Sequence, residues 1–194
     1  PYTTLFRSGL PCGLIRGVLP ALMLVGMAPA AQAQYQFRTE VNPDGTLTLY
    51  KSVSNFGAVC PTGDLIIPET IDGRSVTRIG NMAFAGCALL TSVFIPRTVM
   101  VIDAWAFAGC GNLTSFVADS GNPSFSSRDG ILFRDMGATL VRYPEGRSGD
   151  YSIPPGTDSV QYPGFWNCRG VTRIFIPKSV TRIDVWALRG TQAL

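Results

Sequence analysis

Apolar residues recur with a period of about 23 residues along the chain after residue 63. The segment 79–87 reads Ile-Gly-Asn-Met-Ala-Phe-Ala-Gly-Cys, and the segment 102–110 reads Ile-Asp-Ala-Trp-Ala-Phe-Ala-Gly-Cys. The same shift relates the Ile-Pro pair at 153–154 to the pair at 176–177. Such a period is typical of a repeat solenoid, because each copy buries its apolar side against its neighbours. We therefore predict a solenoid of about five coils over residues 63–194.

Each copy contains a short alternating stretch that ends at a proline. Residues 91–96 read Thr-Ser-Val-Phe-Ile-Pro, which predicts a strand with Val93 and Ile95 inward and Phe94 outward. The proline ends the strand because it cannot donate to a ladder. Stacked coils about 4.8 Å apart align equivalent side chains in columns. Two columns are predicted to form structural ladders: Phe84, Phe107 and Phe165 in one, and Cys87, Cys110 and Cys168 in the other.

The period is interrupted once. Phe107 and Cys110 have their next counterparts only in Phe165 and Cys168, much further along the chain than a single period. We attribute the extra length to a β-hairpin insertion, which we predict at about 119–149.

The stretch 90–110 carries the most specific pattern, Leu-Thr-Ser-Val-Phe-Ile-Pro-Arg-Thr-Val-Met-Val-Ile-Asp-Ala-Trp-Ala-Phe-Ala-Gly-Cys. It resembles the BspA-type leucine-rich repeats of bacterial surface proteins. The opening stretch 67–76 also looks like the longer first repeat of that family, and the hairpin-bearing insertion is similar to the family as well. The resemblance implies a right-handed, strand-dominated leucine-rich-repeat coil of the α/β horseshoe superfamily. It also implies adhesion to proteins of a host or of a neighbouring cell.

The two ends of the chain differ from the repeats. Residues 1–8 resemble a translated sequencing adaptor, with an ordinary signal-peptide n-region as the alternative. Residues 9–33 contain one arginine, an apolar run and Ala-Gln-Ala, the order of a secretory signal peptide; a retained membrane anchor is the alternative. Residues 34–62 are predicted to form an N-terminal β-hairpin cap that turns at 43–45, Pro-Asp-Gly. The last copy stops at Leu194, so we expect a chain truncated at its C-terminus.

Composition disfavours catalysis and nucleic-acid binding. The chain has no histidine, which removes the commonest general base and metal ligand, so we predict no catalytic residue, no metal and no cofactor. Without residues 1–33 the 16 basic residues fall to 14 against 13 acidic ones, a balance of +1. That balance favours neither nucleic acid nor an anionic membrane surface. Asp119, Asp129 and Asp135 are expected to be solvated rather than to bind calcium.

The cysteines allow two interpretations. An exported protein meets oxidising conditions that permit disulfides. In a column of stacked coils, however, parallel Cβ vectors disfavour a bond between neighbours. We therefore predict a ladder of buried thiols at Cys87, Cys110 and Cys168, with a Cys87–Cys110 disulfide as the alternative.

Outward aromatic and arginine positions are the candidate binding residues. Phe94 and Phe175 are predicted to share an outward strand column, with Arg173 close to Phe175, and Trp105 and Trp186 share another column. Exposed aromatic residues with arginine are typical of protein-binding surfaces. Alternatively, these rings cover gaps between coils or face neighbouring repeats. We predict recognition of a protein partner; a structural spacer, or glycan binding through the two tryptophans, are the alternative functions.

Overall fold

A computed structural model describes residues 37–51, 53–54, 57–58 and 60–191 of the chain. These residues contain seventeen β-strands, a single 3₁₀ helix at Asp135–Gly137, and no α-helix. No helix in this part of the chain is long and apolar enough to cross a membrane. The predictions made for residues 1–8, for 9–33 and for Leu194 lie outside the described residues.

The strands are short, as the frequent glycines and prolines dictate. In chain order they are β1 (Arg38–Val41), β2 (Leu47–Tyr50), β3 (Val53–Ser54), β4 (Gly57–Ala58), β5 (Gly63–Ile66), β6 (Thr70–Ile71), β7 (Arg74–Ile79), β8 (Leu90–Ile95), β9 (Val101–Ile102), β10 (Ser115–Ala118), β11 (Phe125–Arg128), β12 (Ile131–Arg134), β13 (Thr139–Arg142), β14 (Ser148–Ser152), β15 (Ser159–Val160), β16 (Gly170–Phe175) and β17 (Arg182–Ile183).

Each of five coils contributes one strand to each of two rows, and this confirms the predicted strand-dominated solenoid. The first row contains β5, β8, β10, β14 and β16; the second contains β7, β9, β13, β15 and β17. We number the coils 1 to 5 in that order. Where strands of neighbouring coils pair, the pairing is parallel, and the predicted repeat offset appears directly where Phe116 pairs with Val93 and where Val160 pairs with Ile183.

An antiparallel hairpin divides both rows. β11 pairs with β12, β12 pairs with β13, and β13 continues in parallel to β15 and β17. The hairpin also lies along the free edge of β10, where the Phe116 amide donates to the Gly130 carbonyl at 2.8 Å. The first row is therefore two separate sheets, β5-β8-β10 and β14-β16.

The segment between Phe107 and Phe165 holds a further coil as well as the hairpin. The hairpin itself consists of β11 and β12, so it is shorter than the insertion predicted at about 119–149. Leu140 in β13 pairs with Val160 in β15, as equivalent residues of neighbouring coils do. The Tyr143 amide donates to the Gly164 carbonyl at 2.7 Å, which matches the bond from the Phe165 amide to the next coil at 2.8 Å. Tyr143 thus occupies the phenylalanine position of coil 3.

Aromatic rings stack along the interior. Phe84 and Phe107 are stacked with ring centroids 5.3 Å apart, and Tyr143 and Phe165 with centroids 5.1 Å apart. The buried apolar side chains form two groups, one containing the first pair and one containing the second. Such pairs contribute about 0.5–1.5 kcal/mol beyond the area that they bury.

The first coil is covered by the hairpin of β1 and β2. These strands pair antiparallel, and β2 continues in parallel to β7, so the hairpin extends the second row. The Phe37 ring lies edge-on to Phe84 with centroids 6.4 Å apart. The Lys51 ammonium donates to the Ala85 carbonyl in the turn of coil 1. The hairpin therefore packs directly on coil 1.

A disulfide joins Cys60 to Cys87, with Cα atoms 5.1 Å apart. The prediction of a thiol at Cys87 and its alternative, a Cys87–Cys110 bond, are therefore both wrong. The argument from parallel Cβ vectors applies only within one column, and Cys60 precedes coil 1 and lies outside that column. Cys110 and Cys168 are free and buried.

Candidate functional site

The turn of coil 3 is shorter than the others, and this shapes the surface around it. In coils 2 and 4 the interior aromatic ring comes five residues after the last residue of the second-row strand, from Ile102 of β9 to Phe107 and from Val160 of β15 to Phe165. In coil 3 the residue equivalent to Val160 is Leu140, and the interior ring of Tyr143 comes only three residues after it. The missing residues leave a depression between the turns of coils 2 and 4, which we call the notch.

The notch contains only a small cavity. Its volume is about 20 Å³, and it is lined by Ile102, Asp103, Ala104, Phe107, Leu132, Val141, Arg142, Gln161 and Pro163. Such a space holds about one water molecule. It is far smaller than the about 300–1,000 Å³ of a small-molecule site.

A buried ion pair, Arg142 with Glu145, lies next to the notch, and Arg142 lines its cavity. Arg142 and Glu145 are both buried, and the guanidinium donates to one carboxylate oxygen of Glu145. The Gly109 amide donates to the same oxygen at 3.0 Å, and the Asn167 side-chain amide donates to the other at 2.9 Å. Arg142 also donates to the Pro163 carbonyl at 2.7 Å. The pair thus links the turns of coils 2, 3 and 4.

Aromatic side chains of coils 2 and 4 meet across the notch. The ring of Trp105 is 4.8 Å from that of Trp166 and 5.6 Å from that of Tyr162, at interplanar angles of 85° and 78°. Tyr162 and Trp166 are themselves 5.8 Å apart. These edge-to-face contacts are the preferred arrangement of aromatic pairs. Non-adjacent coils touch here because the short turn of coil 3 does not separate them.

Trp186 and Arg189 extend this cluster onto coil 5. The ring of Trp186 is 6.4 Å from Tyr162 and is 61% exposed. The guanidinium carbon of Arg189 lies 5.3 Å from the ring centre of Trp166 and 5.6 Å from that of Trp186. Partial burial raises the pKa of the Tyr162 hydroxyl, so this group stays protonated at neutral pH. We call the set Trp105, Tyr162, Trp166, Trp186 and Arg189 the aromatic cluster.

The structure therefore brings together two residues that the sequence placed in one column, Trp105 and Trp186, through two that it did not identify. Tyr162 and Trp166 flank the repeat positions in coil 4, so the comparison of columns did not select them. Their composition was the available signal, because the segment 161–169 reads Gln-Tyr-Pro-Gly-Phe-Trp-Asn-Cys-Arg, with three aromatic residues.

Phe94 and Phe175 lie on two different sheets. Phe94 pairs with Ile66 on one side and with Val117 on the other, in the sheet β5-β8-β10. Phe175 pairs with Ser152 in the sheet β14-β16. The predicted common column is therefore divided, because the β11–β12 hairpin ends the first sheet at β10.

Arg173 differs from Arg189 in its partner. Its guanidinium lies 3.6 Å from the Asp150 carboxylate on the neighbouring strand, and both side chains are exposed. Arg173 thus belongs to an ordinary surface ion pair, which contributes little to stability.

The two thiols are chemically shielded. Burial raises the pKa of the Cys110 thiol to about 11 and that of the Cys168 thiol to about 12. Cys110 lies 3.2 Å from the Phe84 carbonyl, and Cys168 lies 3.6 Å from the Tyr143 carbonyl. Among the residues that the structure describes, no group of three His, Cys, Asp or Glu side chains is placed to hold a metal ion.

Solved structures with the same fold come from bacterial leucine-rich repeat proteins. A leucine-rich repeat protein from Eubacterium ventriosum is 24% identical, with a TM-score of 0.53, over 68% of this chain and 40% of that one. The pneumococcal vaccine antigen PcpA is 19% identical, with a TM-score of 0.54, over 66% of this chain and 37% of the antigen. The chain thus spans about two fifths of the length of these proteins. At such identities the likeness shows the fold alone.

Sequence comparison identifies the repeats themselves. No curated protein matches the chain. The family model described as the BspA type leucine rich repeat region matches in 6 copies, over residues 46–129 and 149–194. These segments make up about two thirds of the chain and contain most strands of the two rows. The chain therefore belongs to the BspA-type leucine-rich repeat family.

Proposed function

We propose that this chain is a secreted or cell-surface, non-catalytic protein that recognises other proteins through the outer surface of its solenoid. Membership of the repeat family supports recognition, because solenoids present extended binding surfaces. The signal-peptide pattern at residues 9–33 supports export. The lack of histidine in the sequence supports a role without catalysis, because histidine is the commonest general base.

The observation that carries the proposal is the set of exposed apolar side chains on the two sheets of the first row, β5-β8-β10 and β14-β16. Ile66 is 45% exposed, Val117 is 46% exposed, and Phe94 lies half-buried between them. On the second sheet Phe175 is 51% exposed and is followed by the exposed Ile176. Clustered exposed apolar groups mark interaction sites. Because these groups stand on paired strands, binding orders little additional backbone.

An adhesion assay tests this function. Beads coated with the purified protein are expected to adhere to cultured epithelial cells, and protease treatment of the cells should abolish adhesion. The double variant Phe94→Ala with Phe175→Ala should reduce adhesion about tenfold or more, as loss of interface anchors does. Ser152→Ala is the matched control, because Ser152 pairs with Phe175 in the same sheet but offers no apolar surface.

The two alternative functions give different results in the same assay. A structural spacer predicts no adhesion by the wild-type protein. Glycan binding predicts adhesion that is lost when periodate oxidises the cell-surface sugars and that is unaffected by the phenylalanine substitutions. Either result contradicts protein recognition by the sheets of the first row.

A further inference from the structure

The guanidinium of Arg189 is held in place but has no acidic partner among the described residues. It lies between the rings of Trp166 and Trp186, at 5.3 and 5.6 Å from their centres. Contact of the guanidinium with two indole rings is a cation–π arrangement, and Arg189 itself is exposed. Most other arginines that belong to coil surfaces are used differently, as in the Arg173–Asp150 and Arg78–Asp103 pairs.

The turns of the coils carry an uncompensated positive charge. Their carboxylates within the described turns are Asp103, Glu145 and Asp184, and each is paired with an arginine. Arg169 and Arg189 are exposed in the turns of coils 4 and 5 and are not paired with a carboxylate there. These two arginines flank Asn167. The side-chain oxygen of Asn167 accepts from the Arg169 guanidinium at 2.9 Å, and its backbone amide donates to the Arg189 carbonyl at 2.9 Å.

We infer that the aromatic cluster binds an acidic peptide segment of a protein partner, with a carboxylate of the peptide on Arg189. This inference rests on the proposed function and assigns it a second contact site. A planar guanidinium binds a carboxylate through two parallel hydrogen bonds, and such charge-assisted bonds are stronger than bonds between neutral groups. Trp, Tyr and Arg are also the residues that dominate the energetics of protein interfaces.

The geometry favours a peptide over a glycan. The rings of the cluster meet at interplanar angles of 70–89°, so they form a faceted surface rather than a flat platform for sugar rings. From Trp105 to Trp186 the surface extends through two ring-to-ring steps of 5.6 and 6.4 Å by way of Tyr162. An extended peptide of about four residues covers that length.

Intrinsic fluorescence reports on this surface selectively, because all three tryptophans of the chain belong to the aromatic cluster. The probe is poly-L-glutamate, titrated into the purified protein. We expect a saturable change in tryptophan emission that weakens as salt is raised, since the contact is electrostatic. Arg189→Gln should lower the affinity about tenfold or more, in line with the strength of charge-assisted hydrogen bonds.

Two variants control this test. Arg97→Gln removes an exposed arginine that is already paired with Glu69, and it should change the affinity less than about twofold. Arg189→Lys keeps the charge without the planar fork and should bind more weakly than wild type.

The inference is overturned if poly-L-glutamate leaves the emission unchanged, or if Arg189→Gln binds it as well as wild type does. It is also overturned if heparin saturates the signal where poly-L-glutamate does not, because the occupant is then an anionic glycan. Failure here is separable from failure of protein recognition. In that case bead adhesion persists in Arg189→Gln and still depends on Phe94 and Phe175.

Discussion

At the scale of single residues, Glu145 is a charged residue that is buried inside the solenoid. It stands at the turn position that glycine occupies in coils 1 and 2, as Gly86 and Gly109, and asparagine in coil 4. Its buried carboxylate accepts from Gly109, Asn167 and Arg142. A buried carboxylate is tolerated when hydrogen-bond donors surround it. Removal of one partner of a buried ion pair leaves the other charge buried and uncompensated.

Replacement of Glu145 by Gln is therefore expected to destabilise the protein by about 3 kcal/mol, because it leaves the Arg142 guanidinium buried without a counter-charge. Glu69→Gln is the matched control, since it breaks the exposed Arg97–Glu69 pair and should cost less than about 1 kcal/mol. Urea unfolding of both variants measures the difference. Equal losses of stability would show that the Arg142–Glu145 pair is not buried as described.

The thiols supply a second test at this scale. Because burial raises the pKa values of Cys110 and Cys168 to about 11 and about 12, few thiolates are present near pH 8. We expect iodoacetamide to leave both residues unmodified in the native protein and to modify both after unfolding in urea. Peptide mass mapping reads the outcome, and rapid native alkylation of either residue would place that thiol at the surface.

At the scale of elements, the close approach of coil 3 to coil 2 depends on a residue without a side chain. A Cβ atom at Gly146 would lie 2.6 Å from the backbone carbon of Asn112 and 2.8 Å from the Leu113 carbonyl oxygen. The Gly146 amide also donates to that same carbonyl at 2.8 Å. Backbone atoms cannot rotate away as a flexible side chain can, so the two turns would have to separate.

Gly146→Ala is accordingly expected to lower stability by about 1–3 kcal/mol, as overpacking does. Gly111→Ala is a close control, because a Cβ atom there meets nothing within 4 Å. Thermal unfolding of the two variants should separate them clearly. A Gly146→Ala protein as stable as Gly111→Ala would contradict the packing of coil 3 on coil 2.

The same elements show what the sequence can predict. The repeat period yields the parallel register, because it fixes which strands and rings are equivalent. The repeat period does not reveal coil 3, because Tyr-Pro-Glu-Gly at 143–146 replaces the usual Phe-Ala-Gly-Cys and the turn is shorter. Contacts outside the columns were likewise hidden, as with the Cys60–Cys87 disulfide.

The candidate sites were predicted less completely than the fold. The repeat alignment places Trp105 and Trp186 in one column. Their rings are connected through those of Tyr162 and Trp166, which do not stand at repeat positions. The alignment also placed Phe94 and Phe175 together, although the β11–β12 hairpin divides their row. A one-dimensional period does not record where a sheet is interrupted or which neighbouring turns are short.

At the scale of the whole molecule, the five coils form one stack in which coil 3 connects two groups of buried side chains. The aromatic cluster depends on that continuity, because Trp105 of coil 2 reaches Trp166 of coil 4 across the short turn of coil 3. A loosely attached insertion at this place would not hold the two turns at a fixed distance. Recognition by a rigid surface therefore requires coil 3 to be as well ordered as its neighbours.

Hydrogen exchange at the Tyr143 amide tests this requirement most directly. The amide donates to the Gly164 carbonyl at 2.7 Å, as the Phe84 amide does to Ala106 at 2.7 Å and the Phe165 amide does to Ala187 at 2.8 Å. Measured by NMR, the three amides should show similar protection, within about tenfold of one another, because each opens only when neighbouring coils separate. Exchange of the Tyr143 amide at the rate of an exposed loop, with Phe84 and Phe165 still protected, would contradict a continuous stack of five coils.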